Sequence, residues 1–212
     1  MSPLLVALLG VLLVPLFIAT WRSSLVGLGC QGLLMALIAR QLQPAPHTVG
    51  DWLTLADLAI IRGFVAPLAL YTVLRARSTP ARNDVIPPNL LSWTLALGMV
   101  LVSFSFAGLL EKVAGDQQTL IAVASTGVML GFLVLATQSD PFSQMVGALR
   151  IENAIALLEL GGRRHESPVG IQLGLLGVLL ATITFFRSYL ITIESSDLGR
   201  PEPGSGTEGP TL

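Results

Sequence analysis

The sequence predicts an all-α fold, a polytopic membrane helix bundle of about seven transmembrane helices, and three observations carry that expectation. Charge is scarce: 12% of the 212 residues are charged and 52% are hydrophobic. The mean hydropathy is +0.74, whereas a soluble domain carries roughly 25% charged residues. The apolar residues gather into seven runs of about 20, the length a helix needs to cross about 30 Å of hydrocarbon. Short segments of alternating polarity, which a β-barrel would need, are absent, and lipid tolerates no other spanning structure than a helix or a closed barrel.

The predicted spans are 3–21, 24–42, 52–74, 90–110, 119–138, 142–162 and 169–193, so residues 1–193 form one transmembrane domain. The first run resembles a secretory signal in hydropathy. No basic residue precedes it, however, and it is too long for an h-region, so it is read as a span. Breakers and charges mark the joins: "WRSS", "QPAPHTVGD", "RARSTPARNDVIPPN", "EKVAGDQQ", "QSDPF" and "GGRRHESP". The stretch 194–212, rich in Gly, Pro, Ser and acid without an apolar period, is expected to be a disordered polar tail. Arg22, Arg75, Arg77, Arg82, Arg187 and Arg200 fall on one side of the spans, against Arg40, Lys112, Arg163 and Arg164 on the other. Basic residues accumulate on the cytoplasmic side, which puts the N-terminus outside and the C-terminus in the cytoplasm.

Several function classes drop out. A formal net charge of −1 and the lack of a basic patch interleaved with aromatics argue against nucleic acid. Cys30 is alone, so neither an intrachain disulfide, a CxxC pair nor a zinc set can be built from it. His47 and His165 lie in joins with no acid or thiol at ligand spacing. No phosphate loop, nucleophile elbow or HExxH helix occurs, so no cofactor, metal or catalytic residue is expected.

What remains is charge where charge is costly. In "LRIENAIALLELGG" (149–162), Glu152 has ten residues on either side within its span, which places it near the midplane. An ionisable group there costs at least about 2.5–3.5 kcal/mol. Glu159 follows two helical turns later, about 10 Å along the same face, with Asn153 beside that face. A glutamate at the midplane is too short to reach water, so Glu152 has to face protein or a polar cavity, or carry a proton. Arg150 differs: its side chain leans toward the N-terminal end of the helix and is expected to snorkel to water. In the third span, Asp57 and Arg62 are separated by about 500° of helical rotation, roughly 140° apart around the axis, so a direct pair within the helix is not expected. Each is expected to seek a partner elsewhere, and an Arg62 bridge that only fixes packing stands as the structural alternative. Pro67 is expected to kink the helix or free a carbonyl. The patterns "GVMLG" (127–131) and "GIQLGLLG" (170–177) permit close helix contact.

The segment "MVGALRIENAIALLELGG", with the last span "VGIQLGLLGVLLATITFFRSYLITIES", resembles the membrane E component of hydrogenase-4-type complexes, itself similar to the K subunit of bacterial respiratory complex I. The third span, with its basic residue, its proline and its end "LALYTVLRAR", is also similar to the hydrogenase component. The resemblance implies a membrane subunit beside an antiporter-like subunit and other membrane-arm subunits, with no redox centre of its own. Glu152 and Arg62 are then residues of a proton or sodium pathway. The related subunits carry a second acid in the last span; here none stands between Pro168 and Ile193, which leaves Glu159 or Asp57 to supply it. Two other functions compete. A stand-alone ion-coupled transporter would be expected to show paired broken helices and internal symmetry, which the sequence lacks. A scaffold subunit would use the same charges only to register its helices.

Overall fold

The computed structural model describes residues 3–17, 21–43, 47–76, 90–110, 115–137, 141–162 and 169–198. These residues are helical throughout apart from short connections, and no strand occurs among them. The helices are α1 (Pro3–Phe17), α2 (Trp21–Leu42), α3 (Val49–Ala56), a π-helical segment (Asp57–Val65), α4 (Ala66–Ala76), α5 (Leu90–Gly108), α6 (Asp116–Thr137), α7 (Pro141–Gly162) and α8 (Val169–Leu198). α3, the π segment and α4 follow one another without a break and form a single rod. Four helical stretches are long and apolar enough to cross a bilayer: Arg22–Leu42, Val49–Val73, Asp116–Thr137 and Gln172–Tyr189. α7 has the length but carries Arg150, Glu152 and Glu159, while α1 and α5 contribute only the shorter apolar stretches Pro3–Leu13 and Trp93–Gly108. The last helix runs past Ile193 to Leu198, so the predicted tail begins inside it. Residues 199–212, and with them Arg200, lie outside the described residues, as do Arg77, Arg82, Lys112, Arg163, Arg164 and His165.

Local chemistry sets where the rod starts. Thr48 Oγ1 accepts from the Asp51 amide at 3.2 Å, and the Asp51 carboxylate accepts from the amides of Thr48 and His47, each at 3.1 Å. That capping box satisfies donors the first helical turn leaves without partners. At the same end of the bundle, the Gln118 amide donates to the Ala107 carbonyl at 3.0 Å and the Gln117 amide donates to the Gly161 carbonyl. The start of α6 is thereby tied to the ends of α5 and α7.

Glycines decide which helices pack tightly. A Cβ on Gly131 would lie 2.4 Å from Ile151, one on Gly127 2.9 Å from Ala154, and one on Gly161 2.3 Å from Leu120. α6 and α7 are therefore in near-backbone contact, and the "GVMLG" pattern serves that pair. The "GIQLGLLG" glycines behave differently: nothing lies within 4 Å of where a Cβ on Gly170, Gly174 or Gly177 would sit. α8 rests on the rod and exposes Leu173, Val178 and Phe185, as α5 exposes Leu97, Leu101 and Phe106. An apolar exterior of this kind suits hydrocarbon.

The interior is stratified. One apolar cluster joins Leu8, Leu12, Met35, Leu58, Leu120, Val123, Leu157 and Leu160. A second joins Leu25, Leu28, Ala66, Leu70, Phe142, Met145, Leu149 and Leu179. On α2 the gap between the clusters contains buried Gln31, on the rod it contains buried Arg62, and on α7 it contains buried Arg150 and Asn153. A polar layer thus crosses the bundle between two apolar ones.

Candidate functional site

The polar layer is organised around Arg62, whose side chain is only 5% exposed. Its Nε donates to Asp57 Oδ2 at 2.9 Å, and its Nη1 donates to Asn153 Oδ1 of α7 at 2.9 Å. The first of these bonds corrects the sequence reading, which put Asp57 and Arg62 on different faces. That reading assumed α-helical winding. Between Asp57 and Val65 the rod is a π-helix, whose hydrogen bonds link residues five apart, so positions i and i+5 stand one above the other. The Ala66 amide closes the segment by donating to the Ile61 carbonyl, five residues back. Pro67 follows at once and has no amide hydrogen with which to continue the pattern. The π-helical segment ends two residues before Pro67, and the rod continues through the proline as α4.

A widened turn needs room, and α2 supplies it. A Cβ on Gly32 would sit 2.6 Å from the Arg62 carbonyl carbon and the Gly63 nitrogen, and one on Gly29 would sit 2.9 Å from the Gly63 oxygen. The neighbouring atoms are backbone, so they cannot rotate away. Gly32→Ala is therefore expected to cost about 3 kcal/mol or more, the upper end of overpacking penalties. Gly177→Ala, in open space, is expected to leave the melting temperature in detergent nearly unchanged.

The acids gather on the α7 side. Glu152 is half-buried and lies within electrostatic reach of both Arg62 and Asp57. Glu159, also half-buried, lines a cavity of about 40 Å³ together with Asp57, Arg62, Thr54 and Gln172. Two acceptors there, Asp57 Oδ1 and Gln172 Oε1, are buried without a hydrogen-bond donor from the described residues. The cavity has room for a water molecule, which could donate to both. All four ionisable residues singled out from the sequence, Asp57, Arg62, Glu152 and Glu159, therefore fall in one region, although they come from two separate helices.

Arg150 requires a second correction. It was expected to snorkel to water but is 4% exposed. The direction is the expected one, toward the N-terminal end of α7. There its Nη2 meets the Ser24 carbonyl at 3.5 Å and packs against Gly27, so the backbone of α2 receives it in place of solvent.

Sequence reasoning gave Asn153 only a flanking position and did not single out Gln172. The signal for Asn153 was its place beside Glu152 in an apolar run. Gln172 stands in the first turn of α8, where a polar residue reads as interfacial. The layer and its cavity thus bring together two basic side chains, Arg62 and Arg150, and three acidic ones, Asp57, Glu152 and Glu159. Comparison with protein-family models, with curated proteins and with solved structures finds no match to this chain.

Proposed function

We propose that this chain is an integral membrane subunit of a hydrogenase-4-like or complex I-like ion-translocating oxidoreductase complex, contributing an ionisable layer to its proton or sodium pathway. The observation that carries the reading is the position of Glu152 between two apolar strata and within electrostatic reach of the Arg62–Asp57 pair, which itself lines a small cavity. A layer with one acid in excess can take up and release a single positive charge, and apolar strata on either side limit leakage. Glu152 is the titrating group in this account, Arg62 its counter-charge, and Glu159 or Asp57 supplies the second carboxylate that residues 169–193 lack. Gln172 stands in α8 near that point, as a group that orients water and does not ionise. The subunit spans the bacterial cytoplasmic membrane seven times with its N-terminus outside, and it works beside an antiporter-like subunit.

One observation favours a scaffold reading instead. Arg62 is engaged by Asp57 and Asn153 at once, a network that would also serve to fix the rod against α7. Purification of the intact assembly from native membranes is expected to bring down antiporter-like and redox subunits with this chain; recovery of the chain by itself would contradict membership of such a complex. A reporter fused after Leu212 is expected to be active only in the cytoplasm. Activity confined to the outer side would reverse the orientation.

A further inference from the structure

Away from the charged layer, α2 and the rod enclose a groove of about 400 Å³ that opens on the outer surface of the bundle. Its floor is the close approach of Gly29 to Gly63 and Pro67. Its walls are the exposed side chains of Val26, Leu33, Phe64 and Leu68. Chemically it is asymmetric. Arg22 and Tyr71 close one end, and Arg75 stands exposed one helical turn beyond Tyr71; the rest of the lining carries no charge.

We infer that this groove holds one acyl chain of an anionic phospholipid, with the phosphate at Arg22. Three features select that occupant. The groove follows α2 from Arg22 to Leu33, about 16 Å at helical rise, and one leaflet of hydrocarbon is about 15 Å deep. The apolar walls match an acyl chain, while a headgroup at the open end meets the Arg22 guanidinium. Arg22 and Arg75 at the same end favour a headgroup of net negative charge over a zwitterionic one. The inference rests on the membrane character of the helices and not on the ion relay, so the two can fail separately.

The test uses the full chain reconstituted in phosphatidylcholine vesicles, with Trp21, Trp52 and Trp93 changed to Phe and a single reporter introduced by Leu68→Trp. Brominated phosphatidylglycerol is expected to quench the reporter with about fivefold higher apparent affinity than brominated phosphatidylcholine, the preference one basic residue contributes at a membrane surface. Adding Arg22→Gln should abolish that preference. A reporter on the exposed face of α5, Leu97→Trp, should show none. Val26→Trp reads the groove from its opposite wall should Leu68→Trp fail to fold. Equal quenching by the two lipids, a preference unchanged by Arg22→Gln, or a groove reporter that neither lipid quenches would each overturn the assignment.

Discussion

Arg62→Met is expected to destabilise the bundle by about 3 kcal/mol, the low end of the cost of removing one partner from a buried ion pair, because Asp57 keeps 19% of its side chain exposed. The substitution leaves the Asp57 carboxylate without its counter-charge and Asn153 Oδ1 without a donor, in a layer bounded by Leu58 on one side and Leu70 on the other. Most of the cost comes from the charge left behind. The double variant Arg62→Met with Asp57→Leu should therefore recover to within about 1 kcal/mol of wild type, since apolar replacement of a whole buried pair is often neutral. Unfolding in mixed micelles, followed for both variants, measures the difference. A cost below about 1 kcal/mol for Arg62→Met alone would mean that the pair is exchanging with solvent, because exposed pairs contribute no more than that.

The rod also marks where the sequence could be read and where it could not. Apolar runs located the helices, and breakers such as "QPAPHTVGD" located their ends, because hydropathy and capping act within a few residues. The acids of α7 were legible for the same reason: a charge in an apolar run is visible without knowledge of its neighbours. The Asp57–Arg62 pair was not legible, because it depends on local winding. The π-helix requires Gly29 and Gly32 of a different helix to admit it, and no local pattern announces that. Arg150 was misjudged for a related reason. Depth along a span can be counted, but whether water or the α2 backbone covers the end of a side chain is decided by packing. The glycine patterns divided in the same way, one used by α6 against α7 and the other left open on α8.

Glu152→Gln is expected to have the largest effect on function with little effect on assembly. It keeps the size of the side chain and most of its hydrogen-bonding capacity while removing the ability to take up a proton, and Arg62 retains both of its hydrogen-bond partners, Asp57 and Asn153. On the proposed reading, the layer is then left without the carboxyl group that takes up and releases a proton. Asp57→Asn would be a poorer probe, because it also weakens the Arg62 pair and mixes a stability loss with a functional one. The most direct measurement is ion uptake driven by electron transfer in membrane vesicles containing the assembled complex with Glu152→Gln. The account predicts that uptake falls by about 10²-fold or more, the low end of what a positioned proton-transfer group contributes, with the complex still assembled. Uptake at the wild-type rate with unchanged electron transfer would contradict it and leave the charged layer as a device for registering helices.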